Sequence, residues 1–198
     1  MATQTLKKII LMYFCKTVLK VKLFYLILGA IAKERNIEQH DVFFGIAERV
    51  EDLHPEIKRF WKGVILHIDC VQEVKFVDGY EIKIVETSSL TNDNQLFFIN
   101  LGGYKLGHFE EFHEQHLMVG ESMAEVIKRV KKTKFYKTMG FKNAPSHIDD
   151  KLGVDIDDIY DVNDLLSKEA KEKYSIILEK SESEHQENPM EVGYFKIR

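Results

Sequence analysis

The chain has 198 residues, of which 44% are hydrophobic and 30% charged, and its formal net charge is −4. These values are ordinary for a globular protein with one large domain or two small ones. Acidic and basic residues are interspersed, so the sequence offers no basic footprint for a phosphate backbone and argues against a nucleic-acid partner. The two cysteines, Cys15 and Cys70, form neither a disulfide framework nor a zinc motif, which favours a reducing cytoplasm.

The first 20 residues contain several lysines and no acidic residue. With the apolar run that follows they imitate a secretory signal peptide, including an Ala-x-Ala pattern at residues 30–32. Lys16 and Lys20 interrupt the apolar run, which is therefore too short to span a bilayer, and we expect no membrane association. Two interpretations of residues 1–20 stay open: a real extension, disordered or amphipathic, or a non-native overrun before a true start at Val21.

The sequence contains an internal repeat. LFYLILGA at residues 23–30 matches LFFINLGG at residues 96–103, with Leu, Phe, Leu and Gly identical. HIDCVQEVKFVDGYEI at residues 67–82 matches HIDDKLGVDIDDIYDV at residues 147–162 at six of 16 positions, where about one identity is expected by chance. We interpret this pattern as a tandem duplication.

The order of elements predicts that each copy is a β-β-α-β-β unit, with copy one at residues 21–92 and copy two at residues 93–198. The fold class is therefore α+β, with a mostly antiparallel or mixed sheet and helices on one face. The two units are expected to share one core or to pack face to face. The predicted elements are buried strands at 23–28 and 96–101, second strands at 42–47 and 116–119, a helix after the Ser122–Glu125 capping box, a hairpin at Asp78-Gly79, an inserted helix at 163–173, and a C-terminal hairpin with a strand at 192–197.

Several long strings in the chain, among them KLFYLILGA, HIDCVQEV, YEIKIVE, LFFINLGGY and KYSIILE, together resemble a small bacterial family, the domain-of-unknown-function family 1543. The resemblance covers about residues 21–198 and concerns the string as a whole rather than a catalytic signature. It implies a bacterial, cytoplasmic protein whose domain occurs in one or two copies and has no assigned activity. It supplies no functional residues, and residues 1–20 depart from the pattern.

Two pairs in copy one, His40 with Asp41 and His67 with Asp69, are the first candidate catalytic residues. Both pairs lie at predicted strand ends, and a histidine beside a carboxylate acts as a general base or a metal ligand in many sites. The alternative interpretation is structural. In that case His67 hydrogen-bonds the end of a strand and His40 is half exposed.

Copy two has the same residue types at the corresponding places, namely His113-Glu114, and His147 with Asp149. His113 also begins a short stretch that ends at His116, which makes His113 and His116 candidate metal ligands. Their three-residue spacing places them on opposite faces of a strand, so they would share a metal only on a helix or a turn.

Two further stretches are explained without a site. In the acidic run at residues 149–164, Asp155, Asp157 and Asp158 do not keep the spacing of a calcium loop, and the run is typical of a solvated strand edge. The basic run at residues 126–142 offers cations to an anionic ligand, but such a run is more often the solvated face of a helix and the loop that follows it. No phosphate loop or dinucleotide fingerprint occurs, and we predict no cofactor.

The sequence favours a cytoplasmic ligand-binding or interaction module whose partner is an unknown small molecule or protein. The alternative is a small metal-assisted or His/Asp-dependent hydrolase-like enzyme that uses the histidine–carboxylate pairs. A third hypothesis is a homodimer in which the exposed strand at residues 192–197 pairs across a twofold axis.

Overall fold

The computed structural model of the chain describes residues 19–87, 92–148, 159–182 and 186–197. The fold is α+β, as the order of elements predicts, and every strand ladder among these residues is antiparallel. In this part of the chain no helix has the length and hydropathy that a membrane span requires. Nearly all of the extension predicted at residues 1–20 lies outside the described residues.

The strands of the described residues form three sheets. In chain order they are β1 (Lys22–Ile31), β2 (Gln39–Ala47), β3 (Ile65–Glu73), β4 (Phe76–Val77), β5 (Tyr80–Glu86), β6 (Gln95–Tyr104), β7 (Glu111–Gly120), β8 (His147–Ile148), β9 (Ile159–Asp161), β10 (Tyr174–Lys180) and β11 (Met190–Lys196). Sheet A has the order β11-β3-β1-β2, and sheet B has the order β10-β5-β4. Sheet C has the order β7-β6-β8, and β9 pairs with β6 beside β8.

The first strand of each half lies in the middle of its sheet. β1 is flanked by β2 and β3, and β6 is flanked by β7 on one side and by β8 and β9 on the other. The sequence of a central strand that is covered on both faces is a nearly continuous run of apolar residues. This explains the nearly continuous apolar runs LFYLILGA and LFFINLGG.

Short helices follow the second strand of each half. The helices of the described residues are α1 (His54–Phe60), which a 3-10 turn at Val50–Leu53 precedes, α2 (Met123–Val130), α3 (Lys134–Thr138), α4 (Val162–Leu165) and α5 (Lys168–Lys173). The predicted cap of α2 is present, since Ser122 Oγ accepts a hydrogen bond from the Glu125 N–H at 3.3 Å. The reciprocal bond of the capping box differs, because Glu125 accepts from the N–H of Glu121 rather than from that of Ser122.

Three apolar clusters arrange the sheets in layers. The inner faces of sheets A and C share a central core, in which Leu23 and Phe44 of the first half pack with Phe98 of the second. The opposite face of sheet A packs against the helical segment around Ile57, and the opposite face of sheet C packs against α2 and α3. The two halves therefore share one core and also keep a separate helix-covered core each.

The turn between β4 and β5 ties sheet B to sheet C. Asp78 and Gly79 both have positive φ, at 52° and 84°, as the predicted two-residue hairpin requires. The Asp78 carboxylate accepts a hydrogen bond from the Val119 N–H on β7 at 3.0 Å and forms an ion pair with Arg129 on α2. One short turn thus satisfies a backbone amide and a guanidinium of the other half.

Three sequence predictions are corrected. The inserted helix at 163–173 is two helices, because Leu166 is extended (φ −71°, ψ 150°) and Ser167 begins a new N-cap. There is no C-terminal hairpin among the described residues, since β11 pairs with β3 and β10 pairs with β5. The match between residues 67–82 and residues 147–162 does not extend to equivalent strands along its whole length. Asp161 pairs with β6, whereas Glu81, which is aligned with it, lies on β5.

β11 is an edge strand of sheet A, and its outward residues Val192 and Tyr194 are exposed. This placement is the one that the homodimer hypothesis requires, and pairing across a twofold axis stays a prediction.

Asp161 joins β9 to α4. Its carboxylate accepts hydrogen bonds from the Asn163 N–H at 2.8 Å and from Gln95 Nε2 at 2.9 Å. Burial raises the pKa of this carboxyl above its ordinary value of 3.8, and the Asn163 amide offsets the rise only in part.

Because the folded state holds the Asp161 proton more tightly than the unfolded state, ionisation of Asp161 costs stability as the pH rises above 3.8. Asp161→Asn removes this cost and retains a side-chain oxygen that caps α4. We expect the stability of the variant relative to the parent to increase between a pH below 3.8 and neutrality. Urea denaturation across this range measures the change, with Asp164→Asn as control, and a pH-independent difference would contradict it.

Candidate functional site

Predicted catalytic residues of copy one meet around Gly29 on β1. Gly29 pairs with His40 on β2 and with His67 on β3, so the two histidines flank the same residue of the central strand. Paired residues of neighbouring strands project to the same face of a sheet. Both imidazoles therefore lie on the face of sheet A onto which a side chain at position 29 would project.

Two carboxylates complete this group, which we call the histidine–carboxylate cluster (Glu38, His40, His67 and Asp69). His67 Nε2 lies 3.0 Å from Asp69 Oδ1 and 3.3 Å from Glu38 Oε1. His40 Nε2 lies 3.3 Å from Asp69 Oδ2 and 3.6 Å from Glu38 Oε2. Each histidine thus approaches both carboxylates.

The strand register positions Asp69. Ile27 pairs with Cys70 and Leu28 pairs with Ile68, so the register shifts at this point and Asp69 has no partner on β1. An unpaired residue at a bulge re-aims its side chain. Asp69 also affects its neighbour, because burial first and the Asp69 carboxylate second raise the pKa of the Cys70 thiol.

Gly29 provides the volume that the cluster occupies. A Cβ at this position would lie 2.2 Å from His67 Nε2 and 2.8 Å from Asp69 Oδ2, far inside contact distance. The absence of a side chain at Gly29 is therefore a steric requirement of the cluster. It does not serve a turn, since Gly29 is an interior residue of β1.

His67 is the most buried member of the cluster, with 1% of its surface exposed. Its ring stacks on Tyr194 of β11, with ring centroids 4.0 Å apart. Neither ring nitrogen makes a hydrogen bond of good geometry within the described chain, despite the nearby carboxylates. Buried polar atoms are nearly always hydrogen-bonded, so His67 is an exception among the described residues.

The second half of the chain brings a similar pair of histidines together around Gly102. His113 on β7 and His147 on β8 both pair with Gly102. His147 Nε2 lies 3.2 Å from Glu111 Oε1, and its Nδ1 lies 3.3 Å from the carbonyl oxygen of Pro145. The side chain of His147 is 39% exposed, so this histidine is solvated where His67 is enclosed.

The remaining candidates lie outside the histidine–carboxylate cluster, although Asp41 lines the same cleft as His40 and His113. The Asp41 carboxylate accepts a hydrogen bond from the Val42 N–H at 2.8 Å and is not a member of the cluster. Asp149 lies outside the described residues. His116 Nε2 is 2.8 Å from Glu114 Oε1. Within the described residues no group of three or more His, Cys, Asp or Glu side chains is already arranged to hold a metal, and this includes His113 and His116.

The sequence-based selection missed Glu38, although a signal for it exists. Glu-x-His occurs at Glu38–His40 and again at Glu111–His113, at the same separation from the glycine of the preceding strand. Both glutamates then contact the histidine on the other side of that glycine. Comparison of the two copies for recurring chemistry, rather than for identity alone, would have found it.

An open cleft of about 510 Å³ lies beside the cluster, where the inner faces of sheets A and C separate. Copy one contributes His40 and Phe44, and copy two contributes Phe98, Asn100, His113 and Gln115. His40 and His113 are the residues that occupy equivalent positions opposite Gly29 and Gly102. We call this feature the inter-sheet cleft.

Tyr25 fixes one wall of the inter-sheet cleft. Its ring stacks on Phe44 with centroids 4.9 Å apart, and its hydroxyl donates a hydrogen bond to Gln115 Oε1 across the two sheets. Burial is the main reason that the pKa of Tyr25 is raised above its ordinary value of 10.0, so the hydroxyl keeps its proton and remains a donor.

Comparison with known proteins identifies a family without an assigned activity. Residues 35–84 match the family model described as Domain of Unknown Function (DUF1543), which confirms the expected resemblance for these residues. The matched segment contains all four members of the histidine–carboxylate cluster. No curated protein gives a significant match.

The fold as a whole is similar to that of a solved protein. The crystal structure of a protein Il1583 from Idiomarina loihiensis superposes with a TM-score of 0.54 at 22% sequence identity. The match covers 90% of this chain and 98% of that chain. At this level of identity the similarity concerns the fold alone, and it extends across both halves.

Gly29→Ala tests the steric requirement. We expect the free energy of unfolding to fall by about 1–3 kcal/mol, because the new methyl group collides with His67 and Asp69. Urea denaturation measures this cost in the parent and in a His67→Ala background, where the cost should be smaller because the ring is gone. The same cost in both backgrounds would mean that the imidazole does not fill the space above Gly29.

Proposed function

We propose that the protein is a small-molecule-binding module and that the inter-sheet cleft is its binding site. The observation that carries the proposal is the composition of this cleft, in which aromatic walls surround a few polar groups. Ligand sites are typically concave, mostly apolar and about 300–1,000 Å³ in volume. The volume of about 510 Å³ falls within this range.

The two-copy architecture is part of the proposal. We infer that a β-β-α-β-β unit was duplicated and that the cleft formed where the two copies meet. Three features support this inference: the central position of β1 and β6, the helices on the outer faces, and the histidines that flank Gly29 and Gly102. On this basis His40 and His113 are equivalent residues that approach one ligand from opposite sheets.

The lining selects the chemistry of the ligand. Phe44 and Phe98 favour a flat apolar or aromatic body, whereas Asn100 and Gln115 offer amide donors and acceptors. Neither lysine nor arginine lines the cleft, so a highly charged phosphate ester fits poorly. We propose a flat, mostly apolar small molecule that carries hydrogen-bonding groups, bound by a cytoplasmic bacterial protein.

A fragment screen tests the cleft. In the 15N-labelled protein we expect aromatic amide or heterocyclic fragments to shift the side-chain NH2 resonances of Asn100 and Gln115. His113→Ala should weaken the best fragment about three- to tenfold, the range expected for one lost hydrogen bond.

His108→Ala is the matched control, because His108 is exposed and lies outside the cleft lining. It should leave the affinity unchanged. If no fragment perturbs the Asn100 and Gln115 amides, or if both histidine variants bind equally well, the cleft is not the binding site.

A second candidate function, His/Asp-dependent hydrolysis, is favoured by one observation. His40 is 52% exposed, and its Nε2 lies 3.3 Å from Asp69 Oδ2, which is the arrangement of an oriented general base. This candidate predicts turnover of p-nitrophenyl acetate or p-nitrophenyl phosphate above the buffer rate. His40→Ala and Asp69→Asn should each lower that turnover at least about 100-fold, with His108→Ala unchanged, and equal rates in all variants would eliminate it.

A further inference from the structure

The enclosed imidazole of His67 needs an explanation that the inter-sheet cleft does not supply. The ring is held between Tyr194 and the glycine surface of β1, and it is 1% exposed. Its two nitrogens and Asp69 Oδ2 are buried without a well-formed hydrogen bond in the described chain. Buried polar atoms nearly always have a hydrogen-bond partner, and a group bound between His67 Nε2 and Asp69 Oδ2 would supply such a partner to two of these three atoms.

The spacing of the donor atoms indicates what that group is. The four nitrogen–oxygen separations in the cluster are 3.0, 3.3, 3.3 and 3.6 Å. Ligands on a tetrahedral ion with bonds of about 2.0–2.1 Å are about 3.3 Å apart. Each separation is close to the distance between two ligands of such an ion, but both oxygens of each carboxylate take part, so the four side chains lie close enough to bind one ion only after they rearrange.

The types of donor select the class of ion. Two imidazoles and two carboxylates suit zinc and related first-row transition metals, whereas magnesium and calcium take oxygen ligands. The two carboxylates of Glu38 and Asp69 also balance the charge of a divalent cation. The donors contact one another in pairs, so an ion must separate these pairs as it binds.

We propose that Glu38, His40, His67 and Asp69 form a binding site for a zinc-type divalent transition-metal ion. Gly29 and Tyr194 hold the buried ligand His67, and the exposed ligands Glu38 and His40 close on the ion from the solvent side. The proposal does not depend on ligand binding in the inter-sheet cleft.

Copy two provides an internal comparison. Glu111, His113 and His147 are the counterparts of three members of the cluster, but His147 is 39% exposed, and its two ring nitrogens face Glu111 and the carbonyl of Pro145. His147 Nδ1 has a hydrogen-bond partner in the Pro145 carbonyl, whereas neither ring nitrogen of His67 makes a well-formed hydrogen bond within the described residues. We therefore assign the site to copy one alone.

Zinc titration of the chelator-treated full chain tests the proposal. We expect isothermal titration calorimetry to show one Zn²⁺ per chain, Co²⁺ to produce the visible absorption of a tetrahedral site, and Mg²⁺ not to compete. Glu38→Gln should weaken Zn²⁺ binding at least about tenfold, because it removes a charged ligand. Glu111→Gln is the matched control in copy two and should bind Zn²⁺ like the parent.

Each result of the titration either supports or overturns the proposal. Absence of Zn²⁺ binding to the parent, or equal affinity in Glu38→Gln and the parent, overturns the proposal. Equal weakening in Glu38→Gln and Glu111→Gln also overturns it, because the ion would then lie elsewhere. His67→Gln supplies a further check: if it keeps the circular dichroism spectrum of the parent and loses Zn²⁺ binding, the buried ligand is confirmed.

Discussion

The contact between the inner faces of sheets A and C is the constraint on which the rest of the structure depends. Tyr25, Phe44 and Phe98 form its centre, with ring centroids 4.9 to 5.7 Å apart. Aromatic rings at these distances add directional contacts to a large buried apolar area. Since β1 and β6 must be apolar on this face and again beneath their helices, every residue of β1 between its two ends and every residue of β6 after the first is buried or partly buried. Polar side chains can be accommodated only where this apolar packing ends.

The apolar packing ends at Gly29 of β1 and at Gly102 of β6. At Gly29 the inner face of β1 has no side chain, and the space is filled by the His67 imidazole and the Asp69 carboxylate. The central strand β1 therefore provides only space at this point, and the polar side chains come from the neighbouring strands. The same packing that excludes water from the aromatic centre leaves an open cleft beside it, so the cluster and the cleft are neighbouring consequences of one boundary.

Local patterns in the sequence are sufficient for much of this fold. The apolar runs of β1 and β6, the Ser122 cap and the turn at Asp78-Gly79 depend on neighbouring residues, and the structure has all of them. Pairing between distant segments is different. The choice of β3 as partner for β11 depends on edges that become available only after the sheets form, which no local pattern records. The site shows the same division. His40, His67 and Asp69 are recognisable by residue type, whereas Glu38, one residue before β2, reaches His67 only because β2 and β3 both pair with β1.

The pairing of β11 with β3 has a consequence for the order of folding during synthesis. β1, β2 and β3 emerge from the ribosome well before β11, and domains generally begin to fold from the N-terminal side. Until β11 is made, one edge of β3 has no strand partner in sheet A, and the ring of Tyr194 does not yet cover His67. The nascent chain thus exposes an unpaired strand edge beside an open histidine, and long-range closure of this kind is slow. Any cellular factor that guards the nascent protein from aggregation would have this edge to protect.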